Sequence, residues 1–272
     1  MSRKDFTVCV LLYGEHTTLA KRCLDSIRGA AWFEDVKIII GMNAVCEDTR
    51  QYVYDTHGSR DASTVFDSDK NICKYPMMRH MFYDQANGAL LTDYVMWFDD
   101  DSYVIPNGPA TGRDWLDALR RDMDTRGDII GSKHTLRWQG EQKQWVQQQK
   151  WYNPDAGTNT KHHVFVTGGW WLAKSAMLRA CDYPWKSLLH NGGDSMFGEM
   201  CRHTGYKHGA YMRGGIAINA DEYGVSHKAK RRGVNDPVIG KYNTAGKLAA
   251  ATIPITPEGV ITEISADGLI RR

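Results

Sequence analysis

Three adjacent carboxylates, Asp99, Asp100 and Asp101, end an apolar run over 94–98. Carboxylates this close repel one another unless a cation sits among them. Hard oxygen donors of this kind suit Mg2+ or Mn2+, and those ions suit a diphosphate. An acidic triplet in a loop is most simply a solvated turn. A triplet joined to a hydrophobic strand points instead to a metal site. Three further features stand downstream: Thr167-Gly168-Gly169, Gly192-Gly193-Asp194, and His227 in a basic loop. Together they suit group transfer from a diphosphate. A divalent ion neutralises the leaving group, and a carboxylate takes the proton of the attacking hydroxyl. A single base opposite the leaving group implies inversion, with front-side retention as the open alternative.

The elements that must position these groups follow from the hydrophobic pattern. Strands are predicted over 6–12, 36–43, 63–66 and 94–98, with helices over 17–28, 47–57 and 76–88 between them. That alternation gives βαβ units and a parallel sheet, whose carboxyl edge is where ligands bind. A helix over 111–126 and a strand over 128–136 follow. Residues 137–163 are polar, Gln-rich and studded with Trp, and read as a functional excursion. The spacing then predicts a strand over 164–166, a tight turn at 167–169, and helices over 172–181 and 194–203. The reading divides the chain at 1–131, 132–253 and a terminal hairpin or tail over 254–272.

The chain has 272 residues, 42% of them hydrophobic, enough for a substantial core. No segment has the run of about 18 apolar residues that a membrane helix needs. There is no secretory leader pattern, and the six cysteines form no C-x-x-C pair. Buried free thiols in a reducing cytosol are the expectation. Residues 1–131 hold 15 Lys and Arg against 21 Asp and Glu, and residues 132–272 hold 19 against 11. The acidic half carries the Asp triplet. The basic half suits a polyanion or the diphosphate itself.

In order and spacing, Asp99-Asp100-Asp101, Thr167-Gly168-Gly169, Gly192-Gly193-Asp194 and His227 resemble the nucleotide-sugar glycosyltransferases of the GT-A fold. The first hundred residues are similar to family-two enzymes. From Trp97 onward the chain is similar to the Fringe and β-1,3-galactosyltransferase group. The resemblance implies an α/β fold with a mostly parallel, Rossmann-like sheet flanked by helices, carrying an excursion on the acceptor side. It implies an expected UDP-sugar donor with Mn2+ or Mg2+. Asp99 would hold the ribose or a metal-bound water, with Asp100 beside it. Asp101 and His227 would complete the metal ligands, and Asp194 would be the base. Gly193 departs from the pattern, because an acidic residue often precedes the base. The alternative for Asp194 is a helix N-cap.

The nucleotide would lie over Tyr13 and Asn43, and Arg79 matches the basic residue common before the acidic strand. Gly168 and Gly169 would admit the sugar or acceptor, with Trp170 and Trp171 either stacking on it or buried in the core. Trp145 and Trp151 lie among basic residues and suit stacking on a sugar or an unpaired base. With the basic run 228–232, they raise hydroxymethyl-pyrimidine DNA, of a kind some bacteriophages make, as the acceptor. A bacterial surface glycan is the competing acceptor, and a non-catalytic nucleotide-sugar or glycan-binding module the competing class. A cytoplasmic enzyme with no membrane contact is expected.

Overall fold

The computed structural model describes residues 5–136, 146–156, 163–189, 192–218 and 269–271. Its first half alternates β1 (Phe6–Tyr13), α1 (Thr17–Arg28), β2 (Lys37–Asn43), α2 (Glu47–His57), β3 (Ser63–Ser68), α3 (Lys74–Tyr83) and β4 (Tyr94–Asp99). The second half holds β5 (Tyr103–Val104), α4 (Trp115–Thr125), β6 (Ile129–Leu136), β7 (His163–Lys174), α5 (Ser175–Cys181), α6 (Gly193–Thr204), β8 (His208–Ala210), β9 (Ile216–Ala217) and β10 (Leu269–Arg271).

One eight-stranded sheet runs β10-β3-β2-β1-β4-β7-β6-β8, and β5 pairs with β9 in a separate ribbon. Strands β3, β2, β1 and β4 are parallel, as are β6 and β8. Strand β7 runs antiparallel to β4 and β6, and β10 antiparallel to β3. The α/β class and the mostly parallel sheet are those expected from the sequence.

The central strands are largely apolar because helices cover both faces. On one face, Val8, Val10, Phe98 and Trp170 pack against Cys23, Leu24 and Ile27 of α1 and Trp115, Leu116 and Leu119 of α4. On the other, Cys9, Leu11, Trp97 and Trp171 meet the methionines of α3 and Met196, Phe197 and Met200 of α6. All six cysteines are free thiols, five of them buried.

The expected turn fails at β7: Thr167-Gly168-Gly169 lies inside a continuous twelve-residue strand. Glycine reads as a break in sequence, but at Gly168 its lack of a side chain lets Asp194 and Lys74 close in. Of the two readings of Trp170 and Trp171, the core one holds, since both are buried, one on each face. Trp171 stacks on Trp97 across the β4–β7 pair, with ring centroids 5.9 Å apart and planes 10° apart. Phe82 and Phe197 meet it edge-on. Trp170 packs against Phe98, Trp115 and Tyr211. Leu172 and the two residues after it also belong to β7, so α5 starts only at Ser175. Helix α3 starts at Lys74, two residues before Pro76, and ends at Tyr83. There Asp84 accepts the N–H groups of Ala86 and Asn87 and turns the chain.

Truncation of such a ring costs about 3–5 kcal/mol. Trp171→Ala should lower the unfolding free energy by that order in chemical denaturation. A loss below about 1 kcal/mol would place the ring outside the core.

Candidate active site

The site forms where the parallel strands meet β7. Strand β4 delivers Asp99 at its carboxyl end, in register with Leu11 of β1. The Ser102 N–H donates back to the Asp99 carbonyl at 2.9 Å and closes the acidic turn. Asp100 and Asp101 are buried. The Tyr13 N–H lies 3.4 Å from Asp100 Oδ2.

The group that makes this turn tolerable is Lys74, which carries no local mark in the sequence. Its Nζ donates to Asp99 Oδ2 at 2.7 Å and lies 3.4 Å from the Gly168 carbonyl of β7. The other Asp99 oxygen accepts from Trp97 Nε1 at 2.9 Å. Burial pulls the Lys74 pKa down. The negative charges of Asp99, Asp194 and Asp101 outweigh that, so the ammonium titrates above its ordinary range.

The loop before α3 places Lys74. Asn43, buried at the end of β2, donates to Asn71 Oδ1 at 3.0 Å and accepts the Ile72 N–H at 2.8 Å. Asn71 Oδ1 also accepts the Cys73 N–H, and its amide donates to Tyr13 Oη. Tyr13 and Asn43, expected as nucleotide contacts, thus stand side by side at the carboxyl edge, and their side chains hold the loop. Cys73 adopts φ 72°, which swings the chain into α3.

Asp194 arrives from α6. The N-cap of that helix is Gly192, so Asp194 is inside the first turn and the N-cap alternative falls. The helix N-terminus there favours a negative charge. Two glycines explain the approach. A Cβ on Gly168 would come 2.8 Å from Asp194 Oδ1 and 3.1 Å from Lys74 Nζ. A Cβ on Gly193 would strike the Tyr75 ring at 2.3 Å, and the Gly193 N–H donates to Tyr75 Oη at 3.0 Å. That is why Gly193 stands where the resemblance leads one to expect an acid. Burial, then the charges of Asp194 and Asp99, push the Tyr75 phenol far up.

Asp99, Asp100, Asp101, Gly168 and Asp194 therefore converge, with Gly169 buried next in β7. Other expected residues do not join them. The guanidinium of Arg79 bonds the carbonyls of Asp182 and Pro184 and the Asp182 carboxylate, and stacks on Tyr83. That makes it a brace for the 182–184 turn. Trp151 is buried in the second core beside His203, so it presents no open face to a base or sugar. Trp145, His227 and the run 228–232 lie outside the described residues, as does most of 254–272. Among the described residues, no group of three or more His, Cys, Asp or Glu is arranged to grip a metal ion.

Neither a family model nor a curated protein matches the sequence. Solved structures match its fold. S. aureus TarS 1-349 in complex with UDP superposes with TM-score 0.51 at 14% identity, over 78% of this chain and 59% of that one. The mannosyltransferase PcManGT from Pyrobaculum calidifontis, in complex with GDP-Man and Mn2+, gives 0.48 at 17% identity, over 78% of this chain and 55% of that one. This chain spans a little over half the length of those proteins. At such identities the likeness concerns the fold, and the second is too loose to bear on the site. The architecture is the GT-A, Rossmann-like one.

Lys74→Met should destabilise the protein near neutral pH by on the order of 2 kcal/mol. An unpaired buried charge costs about 3–5, and both partners here keep some water contact. The Lys74 ammonium titrates above its ordinary range, so its contribution holds below about 10.4 and the gap from wild type should narrow as pH rises beyond that. Paired denaturation curves across pH check this. A gap that stays constant into that alkaline range would mean the ammonium does not serve those carboxylates.

Proposed function

We propose that this protein transfers a sugar from a nucleoside diphosphate donor to an acceptor hydroxyl, with inversion. The observation that carries this reading is the convergence of Asp99, Lys74, Gly168 and Asp194 at the carboxyl edge of a GT-A sheet. In open α/β sheets that edge is the ligand crevice. A UDP-sugar is the proposed donor. Its base and ribose would lie over β1 and β2, by Tyr13 and Asn43.

Four carboxylates around one ammonium leave the edge negative, and hard carboxylate oxygens fit Mn2+ or Mg2+. Asp101 would hold such an ion, with His227 as the remaining ligand proposed from the sequence. Asp99 would join them by releasing Lys74. When bound, the ion would neutralise the leaving diphosphate. Asp194, in the first turn of α6 and beside the Lys74 ammonium, would accept the proton of the attacking hydroxyl. Gly168 would leave room for the acceptor to reach that carboxylate.

For the acceptor, the proposal is a hydroxymethyl-pyrimidine in DNA, supported by the basic half of the chain. A glycan is the second candidate. A panel of sugar nucleotides with Mn2+, run against hydroxymethylated DNA and simple glycans, tests both. Asp194→Asn should keep donor affinity and fold while lowering kcat by about 10²–10⁴. A variant that melts early yet stays active in its folded fraction would make Asp194 structural. Gly168→Ala should also cost about 10² in kcat by displacing the Asp194 carboxylate. Unchanged turnover in that variant would remove Asp194 from the reacting geometry.

A further inference from the structure

A cleft of about 560 Å³ opens between α4, along its length from Trp115 to the C-cap Arg126, and the 212–213 segment ahead of β9. Its walls carry Arg113, Arg121, Arg126 and Arg213. Arg126 and Arg213 both pair with the buried Asp122, at 3.0 and 2.6 Å. One carboxylate between two guanidiniums leaves one positive charge over. Arg113 and Arg121 are exposed and have no carboxylate partner among the described residues. Asp114 also lines the cleft and offsets one of them. Four arginines against Asp114 and Asp122 leave an excess of two positive charges.

Beside these charges the wall is apolar. Trp115 forms part of it from beneath, and Met212 stands 68% exposed, more than any other large hydrophobic side chain described. A planar guanidinium fork matches phosphate oxygens two at a time, which a scatter of lysines does not. A thioether beside it suits an apolar or planar neighbour of that phosphate.

We propose that this cleft is a binding site for a phosphodiester chain, gripped by Arg113 and Arg121 while Asp122 fixes Arg126 and Arg213 as its wall. The ribbon of β5 and β9 ties it to the acidic turn. Strand β5 follows that turn directly, and the Ile105 N–H after it donates to the Gly215 carbonyl before β9 at 2.8 Å. A polymer held here would be anchored next to the proposed transfer site. That last clause rests on the transferase reading; the binding itself does not.

The test uses the full chain and a labelled single-stranded oligodeoxynucleotide. An abasic oligomer with the same number of phosphates and a polyglutamate serve as second probes. Wild type should bind the oligonucleotide with an affinity whose logarithm falls linearly with that of salt. Arg113→Ala/Arg121→Ala should weaken binding about tenfold and flatten the slope by about 1.4, two single-strand phosphate contacts at about 0.7 each. Both side chains are exposed, so the melting temperature and the affinity for uridine diphosphate should not move. Unchanged oligonucleotide binding in the pair variant overturns the proposal. So does a loss produced only by reversing Lys230, Arg231 and Arg232. Equal binding of polyglutamate and its equal loss would make the cleft a non-selective cationic patch, which also overturns it. Equal binding of the abasic oligomer assigns recognition to the phosphodiester alone. Weaker binding of that oligomer assigns a share to a base lying on Met212. A wild type that binds the oligonucleotide as described but never uridine diphosphate would refute the transferase reading and leave the cleft standing.

Discussion

The Lys74 ammonium is the interaction on which the rest of this structure depends. A hydrophobic strand that ends in three carboxylates is electrostatically costly, and Asp194 brings a fourth. Lys74 bonds Asp99 directly and reaches the backbone of β7 at Gly168. Each neighbouring element then makes sense by what it does for that contact. The Asn43–Asn71 pair and Tyr13 hold the loop that delivers Lys74. Strand β7 runs antiparallel beside β4 and so sets Gly168 against the acidic turn. The Tyr75 ring, filling the space a side chain at residue 193 would take, seats the start of α6 and with it Asp194.

Most of the architecture was legible in the sequence, because buried parallel strands and amphipathic helices leave strong periodic marks. The acidic strand was legible for the same reason: apolar residues that end abruptly in charge are uncommon in a core. What escaped was determined by contacts distant in sequence. Nothing local distinguishes Lys74 from a surface lysine; its role comes from Asp99, 25 positions on. The glycines at 168 and 169 suggested a turn because glycine breaks strands more often than it sits within them. At Gly168 the reason is a side chain from α6 that no local pattern reveals. The paired tryptophans at 170 and 171 fitted a stacking surface as well as a core. In a strand, however, consecutive side chains point to opposite faces, and both faces of this sheet are covered.

Some residues at expected positions brace the fold instead of facing a ligand. Arg79 matched an expected position in sequence, yet its donors are taken up by the turn at 182–184. Asn43 and Tyr13 are the proposed nucleotide contacts, and their side chains are already engaged with the loop after β3. The negative edge and the arginine cleft also divide the surface between opposite charges. Under the proposed function, an acidic crevice would need a cation to take a diphosphate, whereas the cleft would take phosphate directly.

Titration calorimetry decides whether the acidic edge needs a cation to hold a diphosphate. Uridine diphosphate is titrated into wild type and Asp101→Ala, each with Mn2+ and again after chelation. If the edge needs the cation, wild type binds with Mn2+ and loses most of its affinity on chelation, and the variant binds little in either condition. Equal affinity of the wild type with and without Mn2+ would show that it does not.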